Sequence, residues 1–294
     1  MLVWLNGRLV PARAARVSAL DRGFLHGDGL YDTWRTYGGV SFALAAHLRR
    51  LAAGARALGL PSPGKAATWE TRTRLLVTRN RLPDAAVRLT LTRGEAGDGL
   101  LPARRAQPTL LLSARPLPPD LDRLRRHGAT AILLPFPRDA GAPWGGYKLV
   151  GHASAVAGRL LAARRRATEG LYVTRNGSVT EGTSTNLFLV RGDRLVTPPP
   201  SVGLLAGVTR ELVVRLARRA GLRVREEEVT RGDLRRAHEI FLTASTIEIL
   251  PLVRIDGHLV GSGRPGPVTG LLRTRYAAHV AGALRLRRTT AASR

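Results

Sequence analysis

Four dipeptides set the strongest constraint on how this chain folds. Asn6-Gly7, Gly38-Gly39, Asn176-Gly177 and Asp256-Gly257 each stand between short runs that alternate apolar and polar residues. Asn, Asp and Gly tolerate the positive φ that a two-residue hairpin turn imposes, so each pair predicts two antiparallel strands joined by a tight turn. Leu2 to Leu5 thus returns along Arg8 to Val10, and Leu30 to Tyr37 returns along Val40 to Ala43. A doubly wound parallel sheet would need helical crossovers where these turns stand, and is disfavoured.

Helical spacing appears between the hairpins. Leu48, Leu51, Ala52, Ala55 and Leu58 predict a helix over Ala45 to Leu58, with another over Ala66 to Asn80. Val87 to Thr92 and Thr109 to Ala114 are further strands, and the second stops before Pro116-Leu117-Pro118-Pro119. That proline cluster is the expected domain boundary: residues 1–115 form a small N-terminal domain, 116–122 a linker, and 123–294 a larger C-terminal domain. The second part mixes strands at Thr130 to Leu134, Gly170 to Thr174, Asn186 to Val190, Arg194 to Thr197, Glu239 to Thr243 and Leu250 to Ile255 with helices at Val150 to Thr168, Thr209 to Ala220 and Val268 to Ala281. The class is α+β. Leu284 to Arg294 reads as a frayed basic tail.

Charge narrows the partners. The chain carries 47 basic against 21 acidic side chains, a net charge of +26. Its arginines lie on the solvated faces of amphipathic helices, as in Arg210 to Ala220, and no aromatic residues interleave them as stacking platforms. The expectation is no specific nucleic-acid partner, only weak binding at low salt. No apolar run reaches bilayer length, so no membrane partner is expected and the location is expected to be cytoplasmic. The absence of cysteine excludes disulfides, thiolate zinc sites and cysteine nucleophiles, and no metal site is expected.

Among those basic residues only two are lysine, Lys65 and Lys148. A guanidinium stays protonated, whereas a desolvated amine can become a nucleophile, so a lysine that must bond to a carbonyl carbon cannot become arginine. Lys65 lies in Pro61-Ser62-Pro63-Gly64-Lys65 and reads as a solvated turn residue. Lys148 emerges from Trp144-Gly145-Gly146-Tyr147, an aromatic and uncharged setting that suits a desolvated amine, although an ordinary surface lysine is the plain alternative.

A reactive lysine has a natural partner in pyridoxal phosphate, which also requires an acid against its pyridine nitrogen and a cup for its phosphate. Leu205-Ala206-Gly207-Val208-Thr209-Arg210 runs from a loop into a helix, where Val208 and Thr209 either present N–H groups to an anion or mark a plain helix cap. Thr243-Ala244-Ser245-Thr246 supplies hydroxyls at a turn, and Glu181 sits in what spacing alone reads as a turn containing an acid. On the Leu30 to Tyr37 strand, a period of two puts Tyr31, Thr33 and Arg35 on one face. Tyr31 and Arg35 are candidates to hold a substrate carboxylate, with Arg35 as a plain surface cation the alternative. His47 either assists them or is bonded structurally at the helix start.

In combination, these segments carry a resemblance. Ala19-Leu20-Asp21-Arg22-Gly23-Phe24-Leu25-His26-Gly27-Asp28-Gly29-Leu30-Tyr31-Asp32, His47-Leu48-Arg49-Arg50-Leu51, Thr180 to Phe188, Leu204 to Arg210 and Gly266-Pro267-Val268-Thr269 resemble the class IV, or fold-type IV, pyridoxal-phosphate aminotransferases. That family includes branched-chain and D-amino acid aminotransferases and aminodeoxychorismate lyase. The resemblance implies a two-domain fold, a small N-terminal α/β domain and a larger barrel-like mixed domain with flanking helices, and a homodimer. It implies that Lys148 forms the Schiff base and shuttles the proton, Glu181 pairs with the pyridine nitrogen, and Arg50, Val208, Thr209 and Ser245 bind the phosphate. Leu205 would pack on the ring, and Tyr31, Arg35, His47 and Thr246 would face the substrate. The activity implied is amino transfer between an amino acid and a 2-oxo acid, with the lyase reaction, aminodeoxychorismate to 4-aminobenzoate and pyruvate, as the alternative. Acids and leucines fill Arg93 to Pro102, where D-amino acid enzymes usually place arginine and histidine, and this argues against a strict D-amino acid or aminodeoxychorismate substrate unless Arg104 or Arg105 reaches back. Trp34 stands where the family commonly has an aliphatic residue.

Overall fold

The computed structural model describes residues 1–97, 99–103, 106–137 and 144–292, with the backbone alone for 287–292. The chain gathers into two compact units, Met1–Leu117 with Tyr147–His152, and Pro118–Gly146 with Ala153–Arg294.

The first unit is built on six antiparallel strands: β1 (Leu2–Leu5), β2 (Arg8–Pro11), β3 (Gly29–Tyr37), β4 (Val40–Ser41), β5 (Ala85–Glu95) and β6 (Gln107–Pro116), in the order β2-β1-β6-β5-β3-β4. Both hairpin dipeptides work as expected, with φ of +46° and +90° at Asn6 and Gly7 and +55° and +82° at Gly38 and Gly39. The return strand β4 stops at Ser41, earlier than its alternation suggests, because Ala43 turns left-handed at φ +53° to start a helix. Three helices follow the expected spacing or fill the connections: α1 (Arg22–His26), α2 (Leu44–Ala57) and α3 (Ala66–Arg79). One sheet face buries Leu30, Trp34, Val87, Leu89, Leu91 and Leu112 against Leu44, Leu48 and Leu51 of α2 and Trp69 and Leu76 of α3. Trp34 is therefore a core residue, fully buried on the face opposite Tyr31.

Lys148 belongs to this unit although the sequence places it beyond the proline cluster. The reason is backbone pairing along a part of β3 that β4 does not reach. Tyr31 N–H donates to the Lys148 carbonyl at 2.9 Å and Val150 N–H donates to the Gly29 carbonyl at 3.0 Å, with Leu30 and Leu149 as the bridge between them.

The second unit holds β7 (Ala129–Leu133), β8 (Glu169–Val173), β9 (Ser178–Gly182), β10 (Asn186–Arg191), β11 (Arg194–Thr197), β12 (Arg223–Glu226), β13 (Val229–Thr230), β14 (Glu239–Ala244), β15 (Glu248–Ile255) and β16 (His258–Leu259). Its helices are α4 (Leu121–His127), α5 (Ala153–Arg164), α6 (Val208–Arg219), α7 (Arg231–Arg236) and α8 (Pro267–Ala292). Six strands close into a ring, β10-β14-β15-β7-β8-β9, and the single pair Asn186↔Glu181 joins β9 back to β10. Leu171, Val179, Leu187, Leu189, Ile240, Leu242, Leu250 and Leu252 pack into its core. Hairpins at Asn176-Gly177 and Asp256-Gly257 link β8 to β9 and β15 to β16. The sheet is mixed, however: β7 runs parallel to both β15 and β8, with α5 as the crossover between β7 and β8.

Three local expectations change. Glu181 lies on strand β9, not in a turn, because Ser178–Gly182 is wholly buried and pairs with β8 along one edge and with β13 and, at Glu181, β10 along the other. Helix α5 begins at Ala153 and not Val150, since Tyr147–His152 is committed to β3. The tail from Leu284 is helical through Ala292, in keeping with its alanine, leucine and arginine content.

Candidate active site

In the first unit, β3 and the 147–152 segment bring Lys148 against Tyr31. The Lys148 Nζ stands 4.6 Å from the Tyr31 ring centroid, and the Arg88 guanidinium stands 3.6 Å from the same ring. His152 meets the ring edge-on with centroids 4.9 Å apart. Burial pushes the Tyr31 phenol up to about 12, with Asp32 adding to the rise and Arg88 and Arg50 working against it. The phenol thus keeps its proton and can donate it in a hydrogen bond at neutral pH. Burial lowers the Arg88 pKa, and Tyr31 opposes that shift. Arg35 lies on the same strand face, its guanidinium 4.3 Å over the ring of Tyr37. Thr33 pairs with Arg88 across the sheet, so Tyr31, Arg35 and Arg88 share one face.

On the opposite face Arg50 and His47, one helical turn apart on α2, converge on Asp32. Arg50 Nε donates to Asp32 Oδ2 at 2.9 Å and its NH2 donates to Oδ1 at 2.7 Å, while His47 Nδ1 lies 2.8 Å from Oδ1. Asp32 is fully buried, which opposes ionisation, but His47 and Arg50 outweigh that and hold its carboxyl far below the usual carboxylate range. His47 is itself only 1% exposed, so its place beside Asp32 is that of a buried supporting residue.

Within the second unit lie a buried acid and a helix terminus. Glu181 Oε2 accepts from Asn186 Nδ2 at 3.1 Å and from the Leu205 N–H at 3.2 Å, and Asn186 Nδ2 also donates to the Leu205 carbonyl at 2.9 Å. The pair that closes the barrel is therefore the pair that carries the acid. Helix α6 starts at Val208, its N-cap is Gly207, and no side chain caps it. Thr209 is the second helical residue and not the cap, so the first-turn N–H groups of Val208 and Thr209 stay available to an anion. A Cβ at Gly207 would fall 2.0 Å from Asn186 Oδ1, so only glycine lets the helix start so close to the acid's partner. Ser245 and Thr246 occupy the half-buried turn between β14 and β15. Arg104 and Arg105 lie outside the described residues.

The architecture and these residues agree with a known family. Residues 29–255 match the family model for amino-transferase class IV. The chain belongs to the class IV aminotransferases. Among curated relatives of this pyridoxal-phosphate-dependent family, it is 34% identical over 279 residues to a putative branched-chain-amino-acid aminotransferase of Methanocaldococcus jannaschii, covering 94% of this chain and 95% of the relative. It is 32% identical over 280 residues to a D-alanine aminotransferase of Bacillus licheniformis, covering 93% and 95%. Among solved structures, the branched-chain amino acid aminotransferase of Escherichia coli superposes with a TM-score of 0.88 at 27% identity, covering 95% of this chain and 94% of the other. A hypothetical aminotransferase from Mycobacterium tuberculosis in its PLP-bound form gives 0.84 at 26% identity, covering 96% and 100%.

The residues present fit the cofactor of this family. An uncapped helix start, a buried carboxylate held by two donors, and a half-buried lysine amine against an aromatic ring are what phosphate, ring nitrogen and aldehyde each require. Sequence reasoning did not single out Asp32, Arg88 or Asn186. Asp32 left a trace, since an acid between Leu30 and Trp34 on an alternating strand breaks the apolar face. Asn186 stands within the Thr180 to Phe188 run that carries the resemblance, though no role was read for it, and Arg88 matters through a partner on another strand and left no trace.

Proposed function

We propose that this class IV aminotransferase moves an amino group between an amino acid and a 2-oxo acid, with Lys148 as the reactive amine. The observation that carries the reading is the placement of Lys148, one of only two lysines, with its amine 4.6 Å from the centre of the Tyr31 ring in a half-buried setting. Bound pyridoxal phosphate supplies an aldehyde for that amine and an electron-withdrawing ring that acidifies the substrate Cα–H. Lys148 would hold and return the proton taken from the substrate Cα. Glu181, fixed by Asn186 and Leu205, keeps the ring nitrogen protonated. Arg50, the Val208 and Thr209 N–H groups and Ser245 would hold the phosphate, and Leu205 would lie against the ring.

On the substrate side, Tyr31 offers a protonated phenol and Arg88 and Arg35 offer positive charge, a set suited to a carboxylate. Thr246 completes it. His47 acts from behind, through Asp32 and Arg50. The relatives reported above are aminotransferases, which favours amino transfer over the lyase reaction on the same scaffold.

We also place the chain in a homodimer. Leu20, Phe24, Leu25, Leu100 and Leu101 are exposed, Phe24 at 77% and Leu101 at 89%. Arg22 ties these two segments together by donating to the Gly97, Gly99 and Leu100 carbonyls. Such a clustered apolar patch suits a second copy of the chain.

The visible spectrum of the cofactor-loaded protein tests the reading. Adding D- and then L-amino acids in turn should bleach the band with one enantiomer, and 2-oxo acid should restore it. A protein that takes up no cofactor, or whose band no amino acid changes, would overturn it.

A further inference from the structure

Glu169 is a buried acid that the chemistry proposed above leaves unused. It opens β8 and is 2% exposed. Its Oε1 accepts from the Gly170 N–H at 3.0 Å, the Thr183 N–H at 3.3 Å and the Thr183 hydroxyl at 2.5 Å, and its Oε2 accepts from the Thr185 hydroxyl at 3.2 Å. Arg159 of α5 approaches Oε1 at 3.4 Å and also donates to the Thr168 carbonyl. Thr183 and Thr185 are the ends of the short turn between β9 and β10, closed by the Gly182 N–H on the Thr185 carbonyl at 2.7 Å. Glu181 and Asn186 flank that turn.

Packing ties Glu169 to the turn as closely as the hydrogen bonds do. A Cβ on Gly182 would lie 3.0 Å from both Cγ and Cδ of Glu169 and 2.1 Å from Thr185 Oγ1. A turn of this length closes on its own backbone, and burying a carboxylate beneath it is costly unless every acceptor site is used. Here three of the four donors come from the turn. The carboxylate therefore sets where the turn sits, and with it the register that places Asn186 opposite Glu181.

We propose that Glu169 is a positioning residue for Glu181: it locks the Thr183–Thr185 turn so that Asn186 and the Leu205 N–H can hold the Glu181 carboxylate in one orientation. This rests on reading Glu181 as the partner of the cofactor's ring nitrogen. Glu169 acts through the turn and touches no substrate or cofactor itself. A contrasting acid lies in the same barrel. Glu239, 6% exposed, accepts from the Val268 and Thr269 N–H groups and the Thr269 hydroxyl, and so caps α8 without touching the turn.

The test uses the full chain loaded with pyridoxal phosphate. Wild type, Glu169→Gln, Thr185→Val, Glu181→Gln and Glu239→Gln are compared by the pH midpoint of the visible band and by cofactor dissociation. Glu169→Gln should move the midpoint in the same direction as Glu181→Gln and weaken cofactor binding about tenfold, and Thr185→Val should do the same to a smaller degree. Glu239→Gln should lower the unfolding midpoint and leave the band at its wild-type position. Glu169→Gln combined with Glu181→Gln should shift the band no further than Glu181→Gln alone, because one acts through the other. A wild-type midpoint in Glu169→Gln, or in Thr185→Val should the first variant not fold, overturns the proposal while leaving the role of Glu181 intact. If instead Glu181→Gln does not move the band, the reading of Glu181 falls and the proposal falls with it.

Discussion

Asp32 answers a guanidinium and an imidazole with one carboxylate, and this gives it a measurable pH signature. Burial raises its pKa from the ordinary 3.8, but His47 and Arg50 together pull it well below that value. A depressed carboxyl stabilises the fold above its unfolded pKa, and that stability is lost as pH falls through the folded one. Asp32→Asn should cost about 3–5 kcal/mol at neutral pH, since Arg50 and His47 would then face a neutral amide in a buried site. Urea unfolding should show the loss shrinking as the medium becomes acid, where the wild type gives up the same contribution. Asp233 behaves in the same way in the second unit: burial opposes, yet the Thr230 N–H and hydroxyl, Arg236 and Arg191 bring it to about 2. Lys148→Arg makes a different point. It keeps a basic side chain at this position, but a guanidinium cannot lose its proton, so turnover should fall by about a thousandfold or more and the visible band of the loaded protein should vanish.

At the level of elements, the start of α6 shows how a sheet and a helix build one site. Asn186 begins β10, Gly207 caps α6, and the two lie so close that no side chain fits between them. Gly207 has φ of −74°, a conformation open to alanine, so the entire cost of Gly207→Ala arises from lost space. The substitution should destabilise the protein by roughly 1–3 kcal/mol and displace Asn186 or the helix start. Urea unfolding measures the first effect. Equilibrium dialysis against pyridoxal phosphate measures the second, with weaker binding expected as the N–H groups of Val208 and Thr209 move. Undiminished affinity would show that the helix start does not hold the phosphate.

Across the whole chain, two surface properties bear on the proposed homodimer. A net charge of +26 repels other copies at long range and is screened by salt. In the proposed dimer the exposed Leu20, Phe24, Leu25, Leu100 and Leu101 would attract at contact. Self-association should therefore strengthen as salt rises, the reverse of nucleic-acid binding by the same arginines. Sedimentation should give twice the chain mass in the wild type. Phe24→Asp together with Leu101→Asp should give a monomer, with the thermal midpoint of each unit's core largely kept because both side chains lie outside it. A variant that still sediments as a dimer would move the interface elsewhere.

Much of the fold was legible before any coordinates, because it depends on neighbours along the chain. Two-residue hairpin turns favour Gly, Asn or Asp at positive φ, amphipathic helices repeat every 3.6 residues, and a near-total replacement of lysine by arginine narrows the reactive amine to Lys65 and Lys148, which their flanking residues then separate. Other features depend on residues far apart and have no local signal. The parallel pairing of β7 with β15 and β8, the closure of the barrel at Asn186↔Glu181, and the attachment of Tyr147–His152 to β3 are long-range backbone pairings. The same holds for Arg88 over Tyr31 and for Arg50 and His47 sharing Asp32. Register across a sheet is set by the packing of the whole core, so which side chains face each other emerges only when the strands have paired.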